Sequence, residues 1–153
     1  MASVLIRETE RAAIITLRAN APLIAILPKT SIDPQPKTAG FDAQGAPVWP
    51  FVRLDASQAI PRGRGCTARS EVRFRLHSFA KPRFTSSSQI IETAKDHAGR
   101  LNDAVVEAIH GHAFVVAGRR YRFIVSSADL MQDGAEADAY HGIAAVVARA
   151  YRG

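Results

Sequence analysis

The chain has 153 residues, a formal net charge of +6 and 47% hydrophobic residues. This length favours one domain, and the composition is typical of a globular protein with a substantial core. No apolar run approaches the ~18 residues that span a bilayer, and charged residues near the N-terminus interrupt any signal-peptide pattern. We therefore expect a protein of the cytoplasm or of an assembled particle, with no membrane partner.

The helix Val4–Arg18 is predicted from apolar positions on one side and charged positions on the other. A short second helix begins at Pro22. The segment from Pro28 to Pro50 contains prolines and glycines that discourage regular structure, so we predict a long loop there. Trp49 is expected to anchor the end of this loop to the core; the alternative is an exposed tryptophan at a subunit contact.

A strand-rich segment follows. Phe51–Asp55 is predicted as a strand, residues 56–69 as a second long loop, and Glu71–Phe79 as a long strand. In the long strand, Val72, Phe74 and Leu76 alternate with Glu71, Arg73, Arg75 and His77, which predicts one buried and one charged face. The two strands are expected to pair as an antiparallel hairpin.

The second half of the chain contains the clearest helix, predicted from Gln89 to His110, capped by one of three preceding serines and ended by Gly111. Two strands follow, at residues 113–116 and at Arg119–Leu130. The last segment, Ala139–Tyr151, is ambiguous. Its alanines favour a helix, whereas its alternation suits a strand buried on both faces. As a strand it would lie beside Arg119–Leu130 and complete a four-stranded sheet.

The positive charge is concentrated between Phe51 and Phe84. The basic residues there are Arg53, Arg62, Arg64, Arg69, Arg73, Arg75, Lys81 and Arg83, and only Asp55 and Glu71 oppose them. The rest of the chain is neutral. Such a patch can face nucleic acid, an acidic protein surface or only water. An aromatic stacking platform for a single strand is missing from it.

Motifs for catalysis or for cofactor binding are not found. The single cysteine, Cys66, cannot form an intramolecular disulfide or a cysteine-based zinc site. The glycine-containing stretch around it lacks the lysine and the following helix of a phosphate-binding loop. His110 and His112 are better explained by the end of a helix than by a metal site, and His141 has no nucleophile to pair with. We predict no catalytic, cofactor-binding or metal-binding residues and no enzymatic activity.

The order of the elements and several short motifs resemble the tail-terminator or tail-completion proteins of long-tailed bacteriophages and gene transfer agents. The resemblance covers nearly the whole chain. It rests on the strand start at Pro50–Leu54, the charged strand Glu71–Phe79, the helix Ile90–Ile109 with its following strand, the hairpin at Gly118–Tyr121, and Tyr140–Gly142.

The resemblance implies an α+β subunit of one domain, residues 1–153, with a mainly antiparallel sheet of about four strands and two main helices on one face. It implies that Ala139–Tyr151 is a strand. It also implies a structural virion protein, assembled in the bacterial cytoplasm, that forms a hexameric ring. Such a ring caps the tail tube, joins it to the head connector, and lets DNA pass through its lumen without sequence-specific binding.

The charged segment is the expected contact surface of such a subunit. The hypothesis is that the loop Ser57–Arg69 and its surroundings touch a neighbouring subunit or the tail tube, with acidic positions on Gln89–His110 or Asp129–Asp138 as complementary surfaces. The residues predicted for this interface are Arg62, Arg64, Arg69, Arg73, Arg75, His77 and Trp49. The alternatives are a head-completion stopper protein and, with less support, a basic nucleic-acid-binding module.

Overall fold

A computed structural model describes residues 2–62 and 70–151 of the chain. Helix α1 spans Ala2–Ala19, α2 spans Ala21–Ile24 and α3 spans Ala94–Ile109. A 3₁₀ turn at Lys29–Ser31 follows α2. Within these described ranges no helix is both long and apolar enough to cross a membrane.

The main sheet has five strands in the order β1-β2-β7-β6-β5, and all neighbouring pairs are antiparallel. Its strands are β1 (Phe51–Ile60), β2 (Glu71–Ala80), β5 (Ala113–Val116), β6 (Arg119–Gln132) and β7 (Tyr140–Ala150). A separate ribbon pairs β3 (Arg83–Phe84) with β4 (Ile90–Glu92). The predicted α+β class is confirmed, with five strands in the main sheet where about four were expected.

Strand β1 is longer than the sequence pattern predicts. The prediction of a loop beginning at residue 56 is wrong, because pairing with β2 resumes at Gln58 and continues to Ile60. A bulge interrupts the register between Asp55 and Gln58, and Ala56 takes a φ of 55° within it. A bulge leaves residues unpaired and disturbs the alternation of inward and outward side chains. The sequence pattern therefore suggested that the strand ends at Asp55, although the strand only bends there and continues.

Helix α3 begins later than predicted. Its N-cap is Thr93, whose Oγ1 accepts a hydrogen bond from the Asp96 N–H at 3.1 Å. The predicted start at Gln89, with a serine cap before it, is wrong. Ile90–Glu92 pair with β3 as a strand, and a threonine cap satisfies one of the unpaired N–H groups of the first turn.

Strand β7 resolves the ambiguous last segment in favour of a strand, as the resemblance implied. It pairs with β2 on one side and with β6 on the other, so backbone hydrogen bonding overrides the helix preference of its alanines. Small residues are needed because α3 lies close. A Cβ atom placed on Gly142 would approach the Asn102 Cβ to 2.7 Å.

The helices cover one face of the sheet, and α3 packs across β2, β6 and β7. Val72, Phe74 and Leu76 of β2 are buried on this face, as predicted. The Phe74 ring meets the Phe123 ring of β6 edge-on, with 5.9 Å between centroids. The opposite face, here named the open face, carries the alternate residues of the same strands, including Arg73 and Arg75, which are exposed.

Candidate assembly surface

Three arginines surround a buried carboxylate at the first residue of β2. The Glu71 side chain is 3% exposed. Its Oε1 accepts hydrogen bonds from Arg62 Nη2 at 2.6 Å and from Arg73 Nε at 2.9 Å. Its Oε2 accepts a third from Arg149 Nε at 3.1 Å. The arrangement fixes the guanidinium groups of three separate segments at one end of the sheet.

The electrostatics of this site favour an ionised Glu71. Its hydrogen bond from Arg62 is the largest cause that lowers its pKa to about 2, against an opposing effect of burial, and Arg73 and Arg149 lower it further. The three arginine side chains remain 48–54% exposed. The Glu71 carboxylate therefore holds three guanidinium groups in place, and the N–H groups of these arginines that face solvent can donate hydrogen bonds to a partner.

Two further arginines extend this patch on the open face. Arg122 lies directly across from Arg149 in the β6–β7 register, and its guanidinium carbon sits 4.5 Å from the centroid of the Tyr151 ring. Arg75 is the next residue of β2 on the same face as Arg73, and both are exposed. The name arginine cluster is used below for Arg62, Arg73, Arg75, Arg122 and Arg149 around Glu71.

A second polar group lies further along the open face. His77 Nε2 lies 2.8 Å from Asp55 Oδ1, and His77 Nδ1 lies 2.6 Å from His141 Nε2. A carboxylate only accepts, so His77 Nε2–H donates to Asp55. In neutral His77, Nδ1 is then an acceptor and His141 Nε2–H donates to it. The strand register places these side chains together, because His77 is opposite Ile143 and Phe79 is opposite His141.

The histidine pair is built into an aromatic stack. The His141 ring stacks on Phe79 with 4.3 Å between centroids and on His77 with 4.8 Å. Burial is the main cause that lowers the His141 pKa, and the neighbouring His77 lowers it further, while Asp133 and Asp55 oppose the shift. Among the described residues, no serine, threonine or cysteine is hydrogen-bonded to either imidazole. The two imidazoles are instead held by Asp55, by each other and by the Phe79 ring.

Trp49 completes the same end of the sheet. Its ring meets Phe51 and Phe79 edge-on, with centroid distances of 5.0 and 6.1 Å. The Lys81 Nζ atom lies 4.7 Å from the Trp49 centroid. Phe51 is buried and Trp49 is half-buried, so both anchor the long preceding segment, as predicted.

Comparison with protein families matches residues 17–151 to the family described as tail completion protein gp17. The chain belongs to this tail completion family. Its fold is also similar to a chain in the structure titled "Virion of native gene transfer agent (GTA) particle", with a TM-score of 0.63 and 19% identity over 90% of each chain. A search of curated proteins finds no match.

The family confirms the resemblance drawn from the sequence motifs and identifies a structural protein of phage-type tails. The Tyr140–Gly142 motif lies at the start of β7. Tyr140 begins β7, His141 joins the aromatic stack, and Gly142 leaves room for α3. Each residue of the motif therefore has a structural task in this chain.

The residues predicted for the interface fall into two groups. Arg62 and Arg73 meet at Glu71, with Arg75 on the same face. His77 and Trp49 belong instead to the aromatic end of the sheet. His77 is not a free surface side chain, because it is held by Asp55 and His141 and is 13% exposed. Arg64, Arg69 and Cys66 lie outside the described residues.

The sequence analysis did not predict three features of the site. Glu71 was placed on the charged outer face but is buried beneath its arginines, and Arg149 and Arg122 were not connected with it. His141 was not connected with His77. All of these depend on the pairing of β7 with β2 and β6. The only available signal was the strand alternative for Ala139–Tyr151.

The histidines weighed as metal ligands lie at and just beyond the end of α3. In the ranges that the structure describes, no group of three or more His, Cys, Asp or Glu residues could hold a metal ion. His110 is the C-cap residue of α3, and its Nδ1 accepts a hydrogen bond from the Val125 N–H at 3.0 Å. This histidine therefore ties the end of α3 to β6, in agreement with the capping interpretation.

Proposed function

We propose that this chain is a tail terminator, which caps the completed tail tube as a hexameric ring and joins it to the head connector. The observation that carries the proposal is the arginine cluster on the open face of a sheet in a member of the tail completion family. Its geometry is fixed by a buried carboxylate, which suits a docking surface better than a catalytic site. The subunit then acts without catalysis, by contact.

The proposed partners follow from this position in the particle. They are further copies of the chain, the tail tube protein and the head–tail connector, with DNA passing through the ring lumen without sequence-specific contacts. The residues proposed for contact are Arg62, Arg73, Arg75, His77 and Trp49. Their polar and aromatic groups lie on or beside the open face, where interfaces use arginine and aromatic side chains more than the rest of a surface does.

The experiment is to mix the purified full chain with tail tubes that lack it and to image the tubes. We expect a ring of six subunits at one end of each tube, and we expect capped tubes to join heads in a joining reaction. Rings that bind filled heads but never tubes would identify a stopper protein instead. No binding to either would overturn the proposal.

A nucleic-acid-binding role is a second candidate, favoured by the half-exposed arginines that share one face of the sheet. Phosphate contacts by arginine give binding that weakens steeply as salt increases. Titration of the chain with duplex DNA at 50 and 200 mM salt tests this candidate. Tight, salt-sensitive binding together with a failure to cap tubes would favour it over the terminator.

A further inference from the structure

The two ends of the central strand β7 carry opposite charges. The strand begins at Tyr140, directly after an acidic segment, and reaches the arginine cluster at Arg149. The four acidic residues of that segment are Asp129, Asp133, Glu136 and Asp138. Antiparallel strands rise about 3.4 Å per residue, so the two ends of β7 lie roughly 30 Å apart. This distance exceeds the screening length of about 8 Å at physiological salt.

The acidic segment, residues 129–138, has little compensating charge of its own. Asp129 and Asp138 are exposed. In the described part of the chain, the only ion pair of these four acids joins Lys81 Nζ to Glu136 Oε2, at 3.6 Å. Asp133 instead accepts a hydrogen bond from the Ala135 N–H through Oδ1, which shapes the turn. Most of this negative charge therefore faces solvent.

The sheet edge beside this segment is also open. Strand β5 pairs with β6 only from Arg119 to Arg122, so residues 126–132 of β6 pair with β7 alone within the described ranges. Leu130 and Met131 are 38% and 45% exposed there. An open edge with exposed apolar side chains is a common site of association between chains.

The opposite edge of the sheet differs, because its strand β1 is protected. The Asp33 N–H donates to the Val52 carbonyl at 2.6 Å, and the Leu54 N–H donates to Asp33 Oδ1 at 3.4 Å. The bulge beside Ala56 further interrupts this edge. The hydrogen bonds of Asp33 and the bulge both discourage pairing of β1 with another strand. The β6 edge beside the acidic segment is therefore the better candidate for a contact.

We propose that the arginine cluster of one copy docks onto the acidic segment of a second copy, with the open β6 edge at the rim of the contact. This inference rests on the proposed ring and specifies which surfaces join. Arg122 and Arg149 lie at the far end of β7 from Asp133, Glu136 and Asp138, so one copy cannot pair these charges with one another. Arg75, opposite Ala145, and Asp129, opposite Ile143, lie nearer the middle of the strand. The contact is therefore head-to-tail, the class that closes into a ring when the rotation between copies permits. Charge complementarity then sets register and partner choice.

Two charge-reversed variants test this contact. The first, Arg75→Glu/Arg122→Glu, reverses exposed members of the arginine cluster that make no described contact with Glu71. The second, Asp129→Arg/Asp138→Arg, reverses exposed acids of the acidic segment. With Glu71 included, the first variant changes the formal charge of the arginine cluster from +4 to 0, and the second changes that of the four acids from −4 to 0. Each variant alone therefore sets an uncharged surface against a charged one at every contact. We expect each to lose at least about tenfold in self-association and in tube capping, because the attraction between opposite charges is removed at every contact.

An equimolar mixture of the two variants is the decisive sample. Copies that alternate around a ring pair the native arginine cluster with the native acidic segment at one contact and two neutralised surfaces at the next, so the native attraction returns at every other contact. We expect the mixture to associate and to cap tubes at least about threefold better than either variant alone, below the level of the wild type, and to weaken at 500 mM salt. Sedimentation velocity measures association, and electron microscopy of tubes measures capping.

Matched controls separate this contact from general effects of charge. Arg7→Glu/Arg11→Glu changes the net charge equally at exposed positions of α1. Asp103→Arg/Glu107→Arg reverses exposed acids of α3, the other acidic surface considered for this interface. We expect both controls to cap tubes as the wild type does.

Several results would overturn the inference. These are single-end variants that assemble normally, a mixture that associates no better than either variant alone, and controls that lose association as the test variants do. Loss of DNA binding with unchanged self-association would assign the arginine cluster to DNA. A wild type that self-associates, and whose variants behave as expected, but that never caps tubes would instead overturn the proposed function and leave the contact standing.

Discussion

Replacing Glu71 with Gln is expected to destabilise the fold at neutral pH, because it removes the carboxylate shared by Arg62, Arg73 and Arg149. The carboxyl pKa falls from its ordinary value of 4.5 to about 2. At about 1.4 kcal/mol per pH unit, this difference corresponds to an upper limit near 3.4 kcal/mol. The half-exposed arginines can rehydrate, so we expect a loss of about 2 kcal/mol in unfolding free energy.

The pH dependence distinguishes a charge effect from a packing effect. A carboxyl whose pKa is lower in the folded state contributes stability that is complete above its unfolded pKa and is lost as pH falls towards the folded value. The difference between wild type and Glu71→Gln should therefore be constant from pH 7.5 to 5.5. It should shrink by roughly 1 kcal/mol at pH 3.5.

Urea denaturation followed by circular dichroism at these pH values measures the effect. Glu107→Gln is the matched control, because Glu107 is exposed on α3 and makes no ion pair among the described residues. This control should change the unfolding free energy by less than about 0.5 kcal/mol. A Glu71→Gln loss that is absent at pH 7.5, or equally large at pH 3.5, would refute the electrostatic reasoning.

Two further predictions concern β7. Gly142→Ala should lower the unfolding free energy measured by urea denaturation by about 1–3 kcal/mol, because the new methyl group would meet Asn102. The control Gly134→Ala has nothing within 4 Å of the new methyl group and should lower it by less than about 0.5 kcal/mol. Equal effects of the two substitutions would contradict the close approach of α3. The lowered pKa of His141, caused first by burial and then by His77, predicts stability that is complete above about pH 7.5 and declines as pH falls through 6.5. Urea midpoints of the wild type and of His141→Gln from pH 8 to 5.5 test this, and an unchanged slope in the variant would contradict it.

The sequence predicted the parts of the fold that depend on local pattern. The alternation in β2 identified Val72, Phe74 and Leu76 as core residues. In a strand with one face covered by helices, every second side chain is buried, so apolar residues recur with a period of two. The same logic located the helix that became α3. The predicted start of this helix was too early, because Ile90 and Ile91 fit the helical spacing of apolar residues. The pairing of β4 with β3, which makes these residues a strand, could not be deduced from that spacing.

The candidate site was less predictable, because it is made by strand pairing. Glu71 alternates with the apolar residues of β2 and therefore looked exposed. Its burial comes from Arg62 and from Arg149 of β7, which is 78 residues away. Sequence pattern assigns a side chain to a face of its strand, but the neighbouring strand decides what covers that face. Until β7 was known as a strand beside β2, neither Arg149 nor His141 could be placed.

The two faces of β2 differ in role, so substitutions on the two faces are expected to have different effects. Val72, Phe74 and Leu76 hold the sheet to the helices, so their replacement acts on folding. Arg75 projects from the other face and is exposed, so its replacement is expected to change stability little. Arg73 lies on the same face but also bonds Glu71, so its replacement is expected to weaken that arrangement. Glu71 belongs to both groups, since it is buried yet organises the exposed arginines. Under the proposed contact, a variant at Glu71 would report on stability and assembly together, whereas one at Arg75 would report on assembly alone, which is why the charge-reversal test uses Arg75.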